Sequence, residues 1–275
     1  MPVPLAHTRI AAARAEAPVV LLLHGLGSCG EDWGLQVPAL RADYSLVLPD
    51  LRGQGRTPMP PGWPSIADLA ADVRALMDGL GLASVHVVGL SLGGAVALQL
   101  AVDDPQRVRS LTAVNTFARL RVARGAARRG AERTWLAATG RMHELGRRVA
   151  LGLFPEEGQE AFRQAAARRL ADNRPANYLR LLSAVGRFDL RPRLAEIRSP
   201  TLVVAGEQDT TVPMECKLEL ARQIRGARLK VFSGSRHVTP LDRSPEFNAC
   251  LLEFLIGVDG RLAHGAAGPW PGGGA

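Results

Sequence analysis

Gly89-Leu90-Ser91-Leu92-Gly93-Gly94 places a serine hydroxyl among glycines where an apolar, β-rich run (residues 85–88) meets a helical one (residues 95–100). This is the G-x-S-x-G pattern in the strand–turn–helix setting it requires. Such a turn leaves its flanking positions room for little beyond glycine and lifts the serine Oγ out of the sheet. The helix that follows turns backbone N–H groups and its positive dipole end toward the reacting oxygen. The chemistry implied is nucleophilic attack by Ser91 on an acyl carbon.

A serine hydroxyl attacks when a neighbouring base takes its proton and a third group holds that base, so a histidine and a carboxylate must reach the same place. The chain has six histidines. His86 lies inside an apolar run, His7 and His264 lie in the terminal segments, and His143 sits on a helical stretch. His237 follows the last β-rich run (residues 229–232) in a short loop before a final helix, where it would return to the sheet edge that carries Ser91. His237 is the expected base. For the acid, the run at residues 201–205 leads into Gly206-Glu207-Gln208-Asp209 at that edge, whereas the competing place after residues 111–114 offers Asn115 and Thr116 and no carboxylate. Asp209 is the expected acid, with Glu207 as a nearby alternative.

His24-Gly25-Leu26-Gly27-Ser28 follows the run at residues 19–23 and forms a glycine-flanked loop. It can aim the Leu26 N–H, together with that of Leu92, at the substrate carbonyl oxygen as an oxyanion hole, one donor of which is typically worth ~10²–10³ in rate. His24 is expected to bond within the loop, not to act as a base. Cys29 lies beside the same loop and reads as a bystander thiol. The three cysteines show neither CxxC spacing nor a metal-ligating histidine partner, so no disulfide framework, zinc site or other metal is expected.

Bringing these groups together calls for alternating strands and helices. Apolar runs at residues 19–23, 44–48, 85–88, 111–114, 201–205 and 229–232 alternate with helical stretches at 32–40, 66–80, 92–102, 214–224 and 245–255. The pattern predicts an α/β fold with a mostly parallel central sheet flanked by helices. Ser65 with Asp68 reads as a helix cap, Gly81 as a helix end, and Pro245 behind Ser244 as a first-turn proline. The alternation stops once: residues 117–187 are Ala-, Arg- and Leu-rich helical sequence, read as an inserted lid over the carboxyl ends of the strands. The domain reading is a core of residues 1–116 and 188–258, a lid of 117–187, and a Gly- and Pro-rich tail, 259–275, expected to be disordered.

With 47% hydrophobic and 22% charged residues, the 275-residue chain has the composition of a globular protein with a substantial core. It has no apolar stretch of spanning length, and residues 1–17 lack a signal-peptide h-region, so a soluble, cytoplasmic protein is expected. The net charge of +8 is unevenly spread, with 18 Arg against 8 Asp or Glu between Asn115 and Arg198. Solvated helix faces account for such a run, or attraction of an anionic substrate or acidic partner. No aromatic interleaving accompanies the arginines, which argues against nucleic acid.

With chain order Ser, Asp, His, the sequence resembles the α/β-hydrolase superfamily from Val19 to Leu255. Residues 49–57, Pro-Asp-Leu-Arg-Gly-Gln-Gly-Arg-Thr, are similar to that family's D-x-x-G-x-G turn. The resemblance implies a sheet whose second strand is antiparallel, no cofactor, and a lid after the sixth strand. Few residues precede Val19 for the family's two opening strands, and Arg236 stands beside His237 where small residues are common. A serine at the elbow is unlike haloalkane dehalogenases and epoxide hydrolases, which attack through a carboxylate. The elbow and the His-Gly-Leu-Gly loop are similar to those of small carboxylesterases, enol-lactonases and carrier-protein methyl-ester esterases. The implied reaction is ester, lactone or thioester hydrolysis through an acyl-enzyme on a small-molecule substrate. C–C bond hydrolysis or cofactor-free perhydrolysis on the same triad, a carrier-linked methyl-ester esterase and a low-turnover receptor stand as alternatives. Pocket walls are expected from Phe117, Trp135, Leu136, Phe154, Val212 and Val238, with Leu26.

Overall fold

Val20 to Leu23 are fully buried because their alternate side chains enter two different cores. Leu21 and Leu23 face one side of the sheet, Val20 and Leu22 the other, which is what an unbroken apolar run means in a strand covered on both faces. In the computed structural model, which describes residues 1–120 and 126–263, the strands are β1 (His7–Ile10), β2 (Val19–Leu23), β3 (Ser45–Pro49), β4 (Val85–Leu90), β5 (Val108–Val114), β6 (Thr201–Gly206) and β7 (Arg228–Phe232). They form one sheet in the order β1-β3-β2-β4-β5-β6-β7. Every pairing is parallel except β1 with β3. The short segment before Val19 thus supplies one opening strand, and it is the antiparallel one.

Helices α1 (Val37–Leu40), α2 (Ile66–Gly79) and α3 (Leu92–Asp103) connect the early strands. Between β5 and β6 come α4 (Ala126–Ala138), α5 (Met142–Leu153), α6 (Glu160–Ala171) and α7 (Pro175–Arg187), and the later connections are α8 (Met214–Gln223), α9 (Thr239–Asp242) and α10 (Ser244–Ala263). Helices α2, α3 and α8 cover one face through Leu69, Val73, Val96 and Leu220. Leu40 of α1 with Phe247, Leu251 and Leu255 of α10 covers the other. A third, smaller core of Leu136, Leu145, Leu170 and Tyr178 lies within the segment between β5 and β6.

Two boundaries differ from the sequence reading. The stretch at 32–40 is no single helix: a 3-10 turn (Gly30–Trp33) is followed by α1, because Pro38 in the first turn of α1 has no N–H to bond back into the preceding turn. The expected tail begins too early, because α10 runs on to Ala263. Asp259 holds it there by accepting from Tyr44 Oη at 3.0 Å and Arg109 Nε at 2.7 Å, with His86 Nε2 at 3.2 Å. The remainder of the expected tail, His264 included, lies outside the described residues. Ser65 and Asp68 form the predicted cap in both directions, at 3.2 and 2.8 Å. No described helix is long and apolar enough to cross a membrane.

Candidate active site

Ser91 sits between β4 and α3 with φ 54° and ψ −113°, a conformation that side-chain-bearing residues adopt only under constraint. The constraint is visible. Its N–H donates to Val114 O at 2.9 Å and its carbonyl accepts from Thr116 Oγ1 at 2.6 Å. A Cβ on Gly93 would stand 2.2 Å from Leu23 O, and one on Gly89 would stand 2.3 Å from Gly93 O. Only glycines let the elbow settle this close to β2.

His237 lies between β7 and α9 and Asp209 between β6 and α8, both nearly buried. His237 Nδ1 is 3.0 Å from Asp209 Oδ2. Asp209 Oδ1 accepts the amides of Thr211 and Val212 at 2.8 and 3.1 Å. Burial pushes this carboxyl's pKa up, but His237 and Lys217 outweigh it and hold the group well below the usual carboxylate range. Asp209 is therefore ionised and can only accept, so Nδ1 carries the proton that points at it. Glu207, the alternative acid, is exposed and turns instead to Ser233 Oγ and the Gly234 amide, at 2.8 and 3.0 Å.

Two residues of this cluster escaped the sequence reading. Lys217 of α8, wholly buried, places Nζ 2.8 Å from Asp209 Oδ2 and also bonds Val212 O. Burial holds the ammonium's pKa below its ordinary value, although Asp209 pulls it part of the way back up. Asn115 ends β5 at the place where the sequence offered no carboxylate. Its Nδ2 lies 2.9 Å from His237 O and 2.8 Å from Thr239 Oγ1, and its Oδ1 accepts the Gly206 amide at 2.7 Å. It ties the acid's strand to the histidine's loop.

The glycine-flanked loop lies against the elbow: a Cβ on Gly25 would be 3.7 Å from Ser91 Cβ. His24 is internal to it. The Leu51 amide donates to His24 Nε2 at 2.9 Å, which leaves Nδ1 to donate to Gly25 O at 2.8 Å, and burial holds this imidazole neutral by lowering its pKa. The turn at residues 50–57 braces the same loop, with Gln54 Oε1 accepting the Gly27 amide at 2.5 Å and Asp50 Oδ1 the Gly30 amide at 2.9 Å. Cys29 is buried and its thiol is pushed up to about 11, first by burial and then by Asp32. That leaves it protonated at neutral pH.

Ser91, His237, Leu26 and Leu92 line one cavity of about 160 Å³. Of the residues read as pocket walls, Phe117, Phe154, Val212 and Val238 line it, with Val149, Leu153, Leu170 and Leu182. Two expected wall residues are not. Trp135 is 53% exposed with Arg141 stacked over its ring, and Leu136 is 1% exposed inside the core of the β5–β6 segment. On α4 it is Arg133 that lines the cavity instead. Arg236 is also absent from the wall, its amide bound by Asp242 at 2.7 Å.

A sheet of this order with a strained serine at the β4–α3 turn is the architecture of an alpha/beta hydrolase, and residues 18–244 match the family described as alpha/beta hydrolase fold. The chain belongs to that family. It is 34% identical to a putative carbamate hydrolase, RutD, of Variovorax paradoxus, over 89% of this chain and 94% of that protein. A hydrolase of Pseudomonas aeruginosa superposes with a TM-score of 0.83 at 32% identity, covering 91% of this chain and 94% of that one. The enol-lactonase of Burkholderia xenovorans superposes with a TM-score of 0.85 at 28% identity, covering 92% and 96%.

Proposed function

We propose that this chain is a serine hydrolase that cleaves a small carboxylic ester, lactone or similarly activated acyl compound through an acyl-enzyme on Ser91. The observation that carries the reading is the strained Ser91 sharing a cavity wall with His237, whose Nδ1 faces ionised Asp209 at 3.0 Å. In this reading Ser91 Oγ attacks the acyl carbon as His237 Nε2 takes its proton, and Asp209 stabilises the imidazolium that forms. The amides of Leu26 and Leu92 receive the oxyanion. His237 then protonates the leaving group, and water repeats the sequence on the acyl-enzyme. The names of the relatives support the class, since a carbamate, a lactone and an ester all present a carbonyl bearing a heteroatom leaving group.

The cavity of about 160 Å³ is smaller than a drug-sized pocket of roughly 300 Å³ or more, which favours a short acyl chain. One feature favours an anionic one. Arg133 lines the apolar cavity and donates to Tyr178 Oη at 2.7 Å, with no carboxylate partner among the described residues, whereas Arg169 in the same wall is paired with Asp32 and Glu31. The test is hydrolysis of p-nitrophenyl esters from acetate to decanoate by wild type and Ser91→Ala, with matched neutral and carboxylate-ended acyl groups. The expected result is Ser91-dependent turnover that peaks at or below hexanoate and prefers the carboxylate-ended member, a preference that collapses in Arg133→Gln. Turnover that survives Ser91→Ala would refute the reading.

A further inference from the structure

Lys217 makes a contact that a loop anchor does not need. The amides of Thr211 and Val212 already hold Asp209 Oδ1, and a neutral donor would satisfy the Val212 carbonyl. Instead a fully buried ammonium lies 2.8 Å from Oδ2, the same oxygen that faces His237 Nδ1 at 3.0 Å. Burying an ammonium is unfavourable unless it is paired, and pairing it here offsets the charge on which His237 depends. Asp209 thus meets two cationic partners at one oxygen once His237 has taken up a proton.

We infer that Lys217 is a positioning residue of the reaction: it fixes the Asp209 carboxylate against His237 and offsets its charge, extending hydrolysis to lower pH than a carboxylate held by amides alone would allow. This rests on the Ser91–His237–Asp209 reading proposed above. The sign follows from electrostatics. A cation beside the acid opposes protonation of the adjacent imidazole, so less acid is needed to silence the base when that cation is gone. Arg133, Arg169, Asp32 and the neutral His24 line the same cavity as His237, and Glu207, two residues before Asp209, is turned to Ser233 and Gly234. Glu215 and Cys216 lie on α8 itself, and the Cys216 thiol donates to Arg119 O at 3.6 Å. Arg129 of α4 donates to Thr210 O at 3.2 Å, and Arg236 and Asp242 belong to the loop of His237. Among the described residues, only His237 and Lys217 reach the Asp209 carboxylate through side chains.

The test is the pH profile of kcat/KM on one p-nitrophenyl ester for wild type, Lys217→Gln, Lys217→Met and Lys217→Arg. Gln keeps an N–H for Asp209 without the charge, and it carries the comparison if the Met variant does not fold. Losing the cation should move the acidic limb up by about one pH unit and lower kcat more than it changes KM. Arg, which keeps the charge, should stay closer to the wild-type limb than Gln does. An acidic limb unmoved in Gln and Met, or moved as far in Arg, would overturn the inference and leave Lys217 as a loop anchor. The pH midpoint of the His237 ring-proton titration, followed by NMR in wild type and Lys217→Gln, reads the same coupling without substrate. An upward move there with no ester turnover in wild type would refute the proposed reaction and keep the coupling. An unmoved midpoint beside Ser91-dependent turnover would do the reverse.

Discussion

At the scale of single residues, the side chain that organises the site most is one with no chemistry of its own. Asn115 adopts φ 44°, which asparagine tolerates better than most residues. It bonds His237 O, 122 positions further on, and the Gly206 amide, 91 positions on. Asn115→Leu keeps the number of side-chain heavy atoms but strands both groups in the interior and puts a bulkier residue at a positive φ, at a cost of about 2–4 kcal/mol. We expect a lower melting temperature by that measure and a fall of tenfold or more in kcat with a smaller change in KM. Wild-type stability and kcat would contradict this role. The meeting of Ser91, His237 and Asp209 at one sheet edge was legible because a local motif marks the serine and the ends of two β-rich runs mark the other two. Asn115, Lys217 and Gln54 were not, because their partners converge only when distant strands pack, and nothing in their neighbouring residues marks that.

At the scale of elements, the site depends on how closely β6 approaches the loop of His237. A Cβ on Gly206 would lie 2.0 Å from Arg236 O, with Ser235 O at 2.9 Å. Backbone cannot yield as a flexible side chain can, so Gly206→Ala must push the acid's strand and the base's loop apart. We expect it to cost about 3 kcal/mol or more and to remove most turnover. Gly130→Ala, on a face of α4 with open space around it, is the control and should gain about 0.5–1 kcal/mol. Thermal unfolding of the two variants separates a packing clash from a general effect of losing glycine. Six of the seven strands were readable because short apolar-rich runs leave few alternatives, whereas β1, His7–Ile10, has two exposed residues in four and carries no such run. Element ends were less so: α10 continues past residue 259 because three distant side chains hold Asp259, a tertiary contact that composition conceals.

At the scale of the whole molecule, part of the arginine-rich segment between β5 and β6 is stitched to the sheet, while other arginines, Arg141, Arg147 and Arg168 among them, are exposed. Arg169 pairs with Glu31 and Asp32, Arg180 and Arg187 donate to Pro60 O and Pro64 O, and Asn173 and Asn177 bond Gly27 O and Gly53 O. Several of its remaining arginines pair within the segment, as Arg148 does with Glu132 and Glu144. A count of charges along the chain cannot distinguish a clamp from a steering field, because both are runs of arginine. The clamp matters to function because it seats Leu153, Phe154, Leu170 and Arg133 in the wall of the cavity that Ser91 enters from the sheet edge. The reaction proposed for the molecule as a whole requires a covalent intermediate on one serine. Intact mass spectrometry of the enzyme quenched during turnover of a slowly deacylating p-nitrophenyl ester tests it most directly. A single added acyl mass is expected, mapped by peptide digestion to Ser91 and absent from Ser91→Ala. Turnover with no adduct under any quench, or an acyl group carried by another residue, would contradict it.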